Sequence, residues 1–261
     1  MDTNNYTLIT GASGGIGYDI ARLAAADGKN LVLVARSEGK LSQLAGEIRK
    51  NNTCKVITLA VDLSTEDGVN RLITELKSKN IVVDTLVNNA GFGDFGEFAQ
   101  ADLGKNLEMI RLNISALTQL THAFVQGMIK SGKGKIMNVA STAAFMPGPG
   151  MAVYYASKAY VLSFSEALTR ELKGRGVTVT TLCPGPTDTG FATTAGLGKS
   201  LLHRLLPAAT AMEVAKAGYK AMLKGKTVVV PGFMNKLSVF TPRISPRSMV
   251  RNMIYGIHKN H

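Results

Sequence analysis

The chain has 261 residues, 45% of them apolar and 18% charged, proportions of a packed globular domain that exclude a disordered chain. No run of 18 or more apolar residues occurs, so no transmembrane helix is expected, and "MDTNNYTLITG" lacks the basic start and apolar middle of a signal peptide. The net charge is +12, with basic residues spread along the chain, only a modest cluster at "PRISPRSMVR" and no aromatic platform; this points to an anionic small ligand and away from nucleic acid.

In chain order, the runs "YTLIT", "NLVLVA", "KVITLAV", "DTLVNNA", "KIMNVAS", "VTVTTLC" and "TVVVPG" read as strands. Helix-period stretches such as "IGYDIARLAAADG" and "LSQLAGEIRKN" lie between them. Strands that are apolar throughout belong in a parallel sheet covered on both faces, so the pattern predicts one doubly wound α/β domain over residues 1–261. About seven parallel strands are expected, with helices on both faces. Cys54 and Cys183 sit in strand-like runs without a CxxC partner, as buried free thiols of a reducing, cytoplasmic compartment do.

Two segments break the alternation. An insertion at about 186–208, with Phe191, Leu197, Leu201 and Leu202, reads as a loop or lid over a substrate. The basic tail at about 232–261, with Pro242 and Pro246, is expected to pack as a final helix or meet a subunit rather than a membrane surface.

The first turn, "TLITGASGGIG", places Gly11, Gly15 and Gly17, with Ser13 and Ile16 among them, between a strand and its helix. Glycines there let backbone N–H groups approach a pyrophosphate at the helix N-terminus. The same residues match the G-x-S-x-G nucleophile elbow, but only ten residues precede Gly11, too few for the earlier strand that supplies an oxyanion hole. "GLGKS" imitates a P-loop ending, yet Thr193 stands where its first glycine belongs. The second strand ends "VLVARSEGK", with Arg36 where an acid would hold a ribose 2′-hydroxyl. An arginine there, with Lys40 nearby, favours a 2′-phosphate, hence NADP(H) over NAD(H).

"AVYYASKAYV" surrounds Lys158 with Tyr154, Tyr155 and Tyr160. Tyr154 and Tyr155, four and three residues from the lysine, are both its helix neighbours. An ammonium beside a phenol favours the phenolate and is expected to bring its pKa from about 10 toward the working range. Spacing leaves the two phenols as alternatives. His122, His203, His258 and His261 show no metal-ligand spacing, so no metal site is expected.

Together, "TGASGGIG", "NNAG" at Asn88–Gly91, Asn113, Ser141, Tyr154-x-x-x-Lys158 and "PGPTDTG" resemble the short-chain dehydrogenase/reductase family, in its NADP-dependent type, from Thr10 to Thr189. The resemblance implies a Rossmann-type sheet and hydride transfer between nicotinamide and a carbonyl/alcohol pair, with acyl, steroid or other lipophilic ketones as substrates. It selects Tyr154 as the acid–base and leaves Tyr155 and Tyr160 to packing or a subunit face. Ser141 would bond the substrate oxygen, Lys158 the nicotinamide ribose, and Asn113 a relay water. Asp62 and Leu63 would lie beside adenine and Asn88 and Ala90 along the cofactor, while Pro184, Gly185, Thr187 and Thr189 would border nicotinamide and pyrophosphate. One departure is Gly14, where some NADP-binding relatives carry a basic residue. Phe92, Phe95, Phe145, Met146, Met151 and Phe191 hint at an apolar pocket. A homodimer or homotetramer is implied through about Leu103–Lys130 and Met151–Lys173. The alternative, a non-catalytic dinucleotide-binding regulator, would need only the binding half of this set.

Overall fold

The computed structural model describes residues 4–191, 195 and 208–259. Most of the 186–208 insertion, including Leu197, Leu201, Leu202 and His203, therefore lies outside the described residues, as does His261. Six strands, β1 (Asn5–Thr10), β2 (Asn30–Ala35), β3 (Val56–Ala60), β4 (Val82–Asn88), β5 (Gly134–Val139) and β6 (Val177–Leu182), pair in parallel with a short β9 (Val228–Val229). Their order is β3-β2-β1-β4-β5-β6-β9, so the winding reverses between β1 and β4, where such sheets open a crevice. Two-residue strands β7 (Thr187–Asp188) and β8 (Ala209–Thr210) pair separately.

Both sheet faces are covered, as the continuous apolar strands require. In β1, Leu8 and Ile9 point to opposite faces and both are fully buried. Leu8, Val32 and Val34 join one core with Leu72 and Leu76 of α3 (Glu66–Ser78) and Leu120 of α5 (Leu117–Ser131). Ile9, Leu31 and Leu33 join the other with Ile20 of α1 (Gly15–Ala26), Leu44 of α2 (Glu38–Asn51) and Val214 of α7 (Ala211–Leu223).

Three departures from regular helices position the site. Gly14, the N-cap of α1, supplies no side-chain cap, leaving the helix's first N–H groups free to face a ligand. Between α4 (Leu103–Ile110) and α5 runs a π-helical segment, Arg111–Ala116, that carries Asn113, a register often found at functional sites. The basic tail folds as two helices, α8 (Phe233–Ile244) and α9 (Arg247–Lys259). Pro242 lies near the end of α8, where its missing N–H costs a single helical hydrogen bond.

Candidate active site

A cleft of about 520 Å³ crosses the C-terminal ends of the strands. Ser13, Gly15 and Ile16 line it from the first turn, Arg36 from the end of β2, Lys40 from the first turn of α2, and Asp62 and Leu63 from the end of β3. Ala90 follows β4; Pro184, Gly185, Thr187 and Thr189 line the opposite side. Gly11 and Gly15 adopt φ +66° and +55°, which L side chains rarely adopt, and a Cβ at Gly11 would lie 2.8 Å from the Asn89 Nδ2 and 2.9 Å from the Ala90 Cα. Gly17 lies behind the cleft wall, where a Cβ would meet Asn89 Nδ2 at 2.4 Å and the Gly11 carbonyl oxygen at 2.5 Å. The cradle therefore fits a backbone-bound diphosphate and tolerates no larger residue at these points.

Asn88, expected along the cofactor, does not line the cleft. It is 4% exposed, and its amide nitrogen donates to Thr121 Oγ1 at 3.1 Å and Asn138 Oδ1 at 2.9 Å. The cause is register: Asn88 pairs with Asn138 across β4 and β5, so both side chains point into the same core face. Its neighbour Asn89 takes the expected place, donating to the carbonyls of Thr10 and Gly11 at 3.0 and 3.1 Å and pinning the glycine turn. Two consecutive asparagines at a strand end must face opposite ways, and that alternation was the available signal.

At the outer end, Arg36 is exposed and ion-pairs with Glu108 of α4 at 3.4 Å, a partner without any sequence signal. Asp62 accepts from the Ser64 N–H at 2.9 Å and its hydroxyl at 2.7 Å. Partial burial pushes the Asp62 carboxyl upward, but the Ser64 bonds and the Arg36 charge outweigh it and hold the carboxyl below its ordinary range.

At the inner end, α6 (Ala152–Glu171) presents Tyr154 and Lys158 to the cleft, with Ser141 opposite after β5. Lys158 is 6% exposed and donates to the Val139 carbonyl at 2.9 Å; burial pulls its pKa down to about 8. Its Nζ lies 5.8 Å from the Tyr154 ring centroid. Burial pushes the Tyr154 phenol up to about 12, opposed by a hydrogen bond with the Ser141 hydroxyl. The expected fall of this phenol toward neutrality is thus not found: desolvation of the phenolate is the main cause of its shift, and Lys158 is not among the causes. Asn113 lies beneath Gly91 rather than in the cleft wall: a Cβ at Gly91 would sit 2.9 Å from its Oδ1 and 3.4 Å from Lys158 Nζ. Its carboxamide accepts from the Phe92 N–H and donates to the Phe92 carbonyl and Ser157 Oγ.

Tyr155 also lines the cleft, on the side of α9. Its hydroxyl lies 3.4 Å from His258 Nε2, while His258 Nδ1 faces the Pro149 carbonyl, so Nδ1 carries the hydrogen and Nε2 accepts from the phenol. His258 also lines the cleft; it follows Val250 and Ile254 at four-residue spacing on the buried face of α9, a pattern legible in "MVRNMIYGIHK". Tyr160 stacks on Phe164 and bonds Thr118 outside the cleft. Phe92, Met151 and Phe191 line the cleft beside Tyr154, and Phe95 and Met146 pack in the same cluster. Phe145 belongs to a different cluster. Among the described residues no group of three or more His, Cys, Asp or Glu could hold a metal, and no helix is long and apolar enough to cross a membrane.

The pattern of the short chain dehydrogenases matches residues 5–199. Sulfoacetaldehyde reductase 2 of Chromohalobacter salexigens is 40% identical over 190 residues, 72% of this chain and 75% of that one. A ketoacyl reductase, HetN, of Nostoc sp. is 30% identical over 256 residues, covering 95% and 88%. A short-chain dehydrogenase from Sphingobium yanoikuyae, solved with NADPH, superposes with a TM-score of 0.80 at 31% identity, covering 92% and 93% of the two chains. With its seven-stranded parallel sheet and its Ser–Tyr–Lys cleft, the chain belongs to the short-chain dehydrogenase/reductase family of oxidoreductases.

Proposed function

We propose that the cleft binds NADP(H) and that Tyr154 exchanges the proton of a carbonyl/alcohol pair there. The observation that carries this reading is the convergence of Ser141, Tyr154 and Lys158 at the inner end of a glycine-cradled cleft. When bound, the nicotinamide supplies or accepts the hydride. The uncapped α1 N-terminus and the glycine turn hold the diphosphate, and Arg36 and Lys40 hold the 2′-phosphate. Arg36 and Lys40 make NADP(H) the better fit than NAD(H), and the NADPH in the Sphingobium relative supports it.

A phenol pushed up to about 12 is protonated at neutral pH, so Tyr154 is poised to donate a proton to a carbonyl oxygen that Ser141 also bonds. Lys158, at about 8, remains largely protonated and can return a proton to the tyrosine. The side chain of Asn113 is committed to the 92 loop, so a relay water would rest on its backbone carbonyl, where the π-helical register widens the turn. Phe92, Met151 and Phe191 form an apolar wall beside Tyr154 that suits a lipophilic acyl, steroid or ketone substrate.

We read the assembly as a homodimer or homotetramer. Leu103, Leu107 and Ile110 form an exposed stripe at helical spacing on α4, suited to a second copy. The free Cys54 and Cys183 fit a cytoplasmic location. The test is NADPH consumption across acyl thioesters, steroids, sugars and simple ketones. Saturable consumption with one class supports the proposal. Saturable NADPH binding with no turnover on any carbonyl would favour a regulatory protein instead.

A further inference from the structure

The charge of the chain is unevenly placed because its acids are. Residues 214–261 contain nine lysines and arginines and no aspartate or glutamate, whereas residues 1–213 contain 21 cations and 18 acids. That stretch includes α8 and α9, whose outer faces are apolar. On α8, Phe233, Leu237, Phe240 and Ile244 follow one another at spacings of four, three and four, and each is at least half exposed. Only Val239 of that helix is buried. Two residues later α9 begins; its Val250, Ile254 and His258 pack inward while Met249 and Met253 face out. Lys236, Arg243, Arg247 and Arg251 are exposed beside these residues, and among the described residues none is in an ion pair.

We propose, against the expectation for the tail drawn from the sequence, that α8 and α9 form a docking surface for a bilayer carrying anionic lipid headgroups. An apolar stripe with cations beside it and no acid suits the interface plane, where side chains enter the acyl boundary and cations meet headgroup phosphates and carboxylates. No described helix can cross a membrane, so the contact is peripheral. A second copy is the poorer occupant, because a two-fold contact sets like against like and residues 214–261 offer no acid to answer their own cations. The helices also frame the cleft: the Asn235 carboxamide of α8 abuts Gly185, and His258 of α9 lines the inner end. Docking therefore brings the cleft mouth to the lipid. This surface stands independently of the activity proposed above.

Co-sedimentation of the full chain with vesicles of phosphatidylcholine, with and without roughly 30% phosphatidylserine, tests it. The chain is expected to pellet with the anionic vesicles and to be released by salt. Leu237→Glu with Phe240→Glu, and separately Arg247→Glu with Arg251→Glu, should each weaken binding at least about twentyfold, since one cation near such a surface is worth roughly fivefold. Both double variants should bind NADPH like the unmodified chain, which shows that they fold. Failure of the unmodified chain to pellet at low salt, or undiminished binding by folded variants, overturns the proposal. So does a stripe variant that only converts an oligomer into a smaller species in light scattering.

Discussion

Lys158 carries a cost that can be measured. It is 6% exposed, its ammonium donates to a backbone carbonyl, and among the described residues it has no ion-pair partner. A fall in pKa from 10.5 to about 8 corresponds to about 3 kcal/mol, at about 1.4 kcal/mol per tenfold change. Because the folded value lies below the unfolded one, the unfolded chain binds this proton more tightly. The penalty from Lys158 is therefore full below pH 8 and shrinks as pH rises from about 8 to 10.5. Lys158→Met removes the effect. Guanidinium unfolding without nucleotide at about pH 7 and about pH 9.5 should show the unmodified chain gaining about 2 kcal/mol relative to the variant. Cys183, whose thiol burial pushes up to about 12, drives the opposite slope but is present in both proteins. Parallel pH profiles for the two proteins would refute the claim that this amine is desolvated.

Arg36→Asp should weaken NADPH at least about tenfold and improve NADH relative to it, since a hydrogen bond to a charged partner is worth about 1.5–3 kcal/mol. Titration of both nucleotides checks this, and an unchanged preference would contradict it. Gly14→Lys should fold normally, because a Cβ there meets nothing within 4 Å and the backbone is extended at φ 179°. It should raise the preference for NADPH by up to about fivefold, the worth of one exposed charge pair, read from the same titrations. Gly17→Ala drives a methyl into Asn89 and the Gly11 carbonyl; thermal unfolding should reveal a loss of about 1–3 kcal/mol, accompanied by weaker NADPH binding.

The sheet was legible because fully buried parallel strands leave an unbroken apolar signature, and seven such runs gave seven strands. The residues at the cleft mouth were legible where backbone geometry fixes the residue type, as at Gly11 and Gly15. Asn88 was misplaced because "NNAG" does not say which asparagine continues the strand's inward face; the pairing with Asn138 decides it. The Tyr154 pKa was misjudged because four-residue spacing conveys proximity to Lys158 but not the burial of both groups. Glu108 meets Arg36 from 72 residues away, and no local pattern encodes such a contact. The tail's helices were half visible: packing of Val250, Ile254 and His258 follows their spacing, whereas the exposed stripe emerges only once the buried face is known.

The assignment of the proton donor is tested most directly by comparing Tyr154→Phe with Tyr155→Phe in NADPH-dependent reduction of whichever carbonyl the unmodified chain turns over. Loss of a positioned acid–base group typically costs about 100- to 10,000-fold. Tyr154→Phe should lose turnover by that factor while binding NADPH nearly unchanged. Tyr155→Phe, which removes a phenol that lines the cleft but bonds His258, should retain most activity. The reverse result, with Tyr155→Phe inactive and Tyr154→Phe active, would contradict the account.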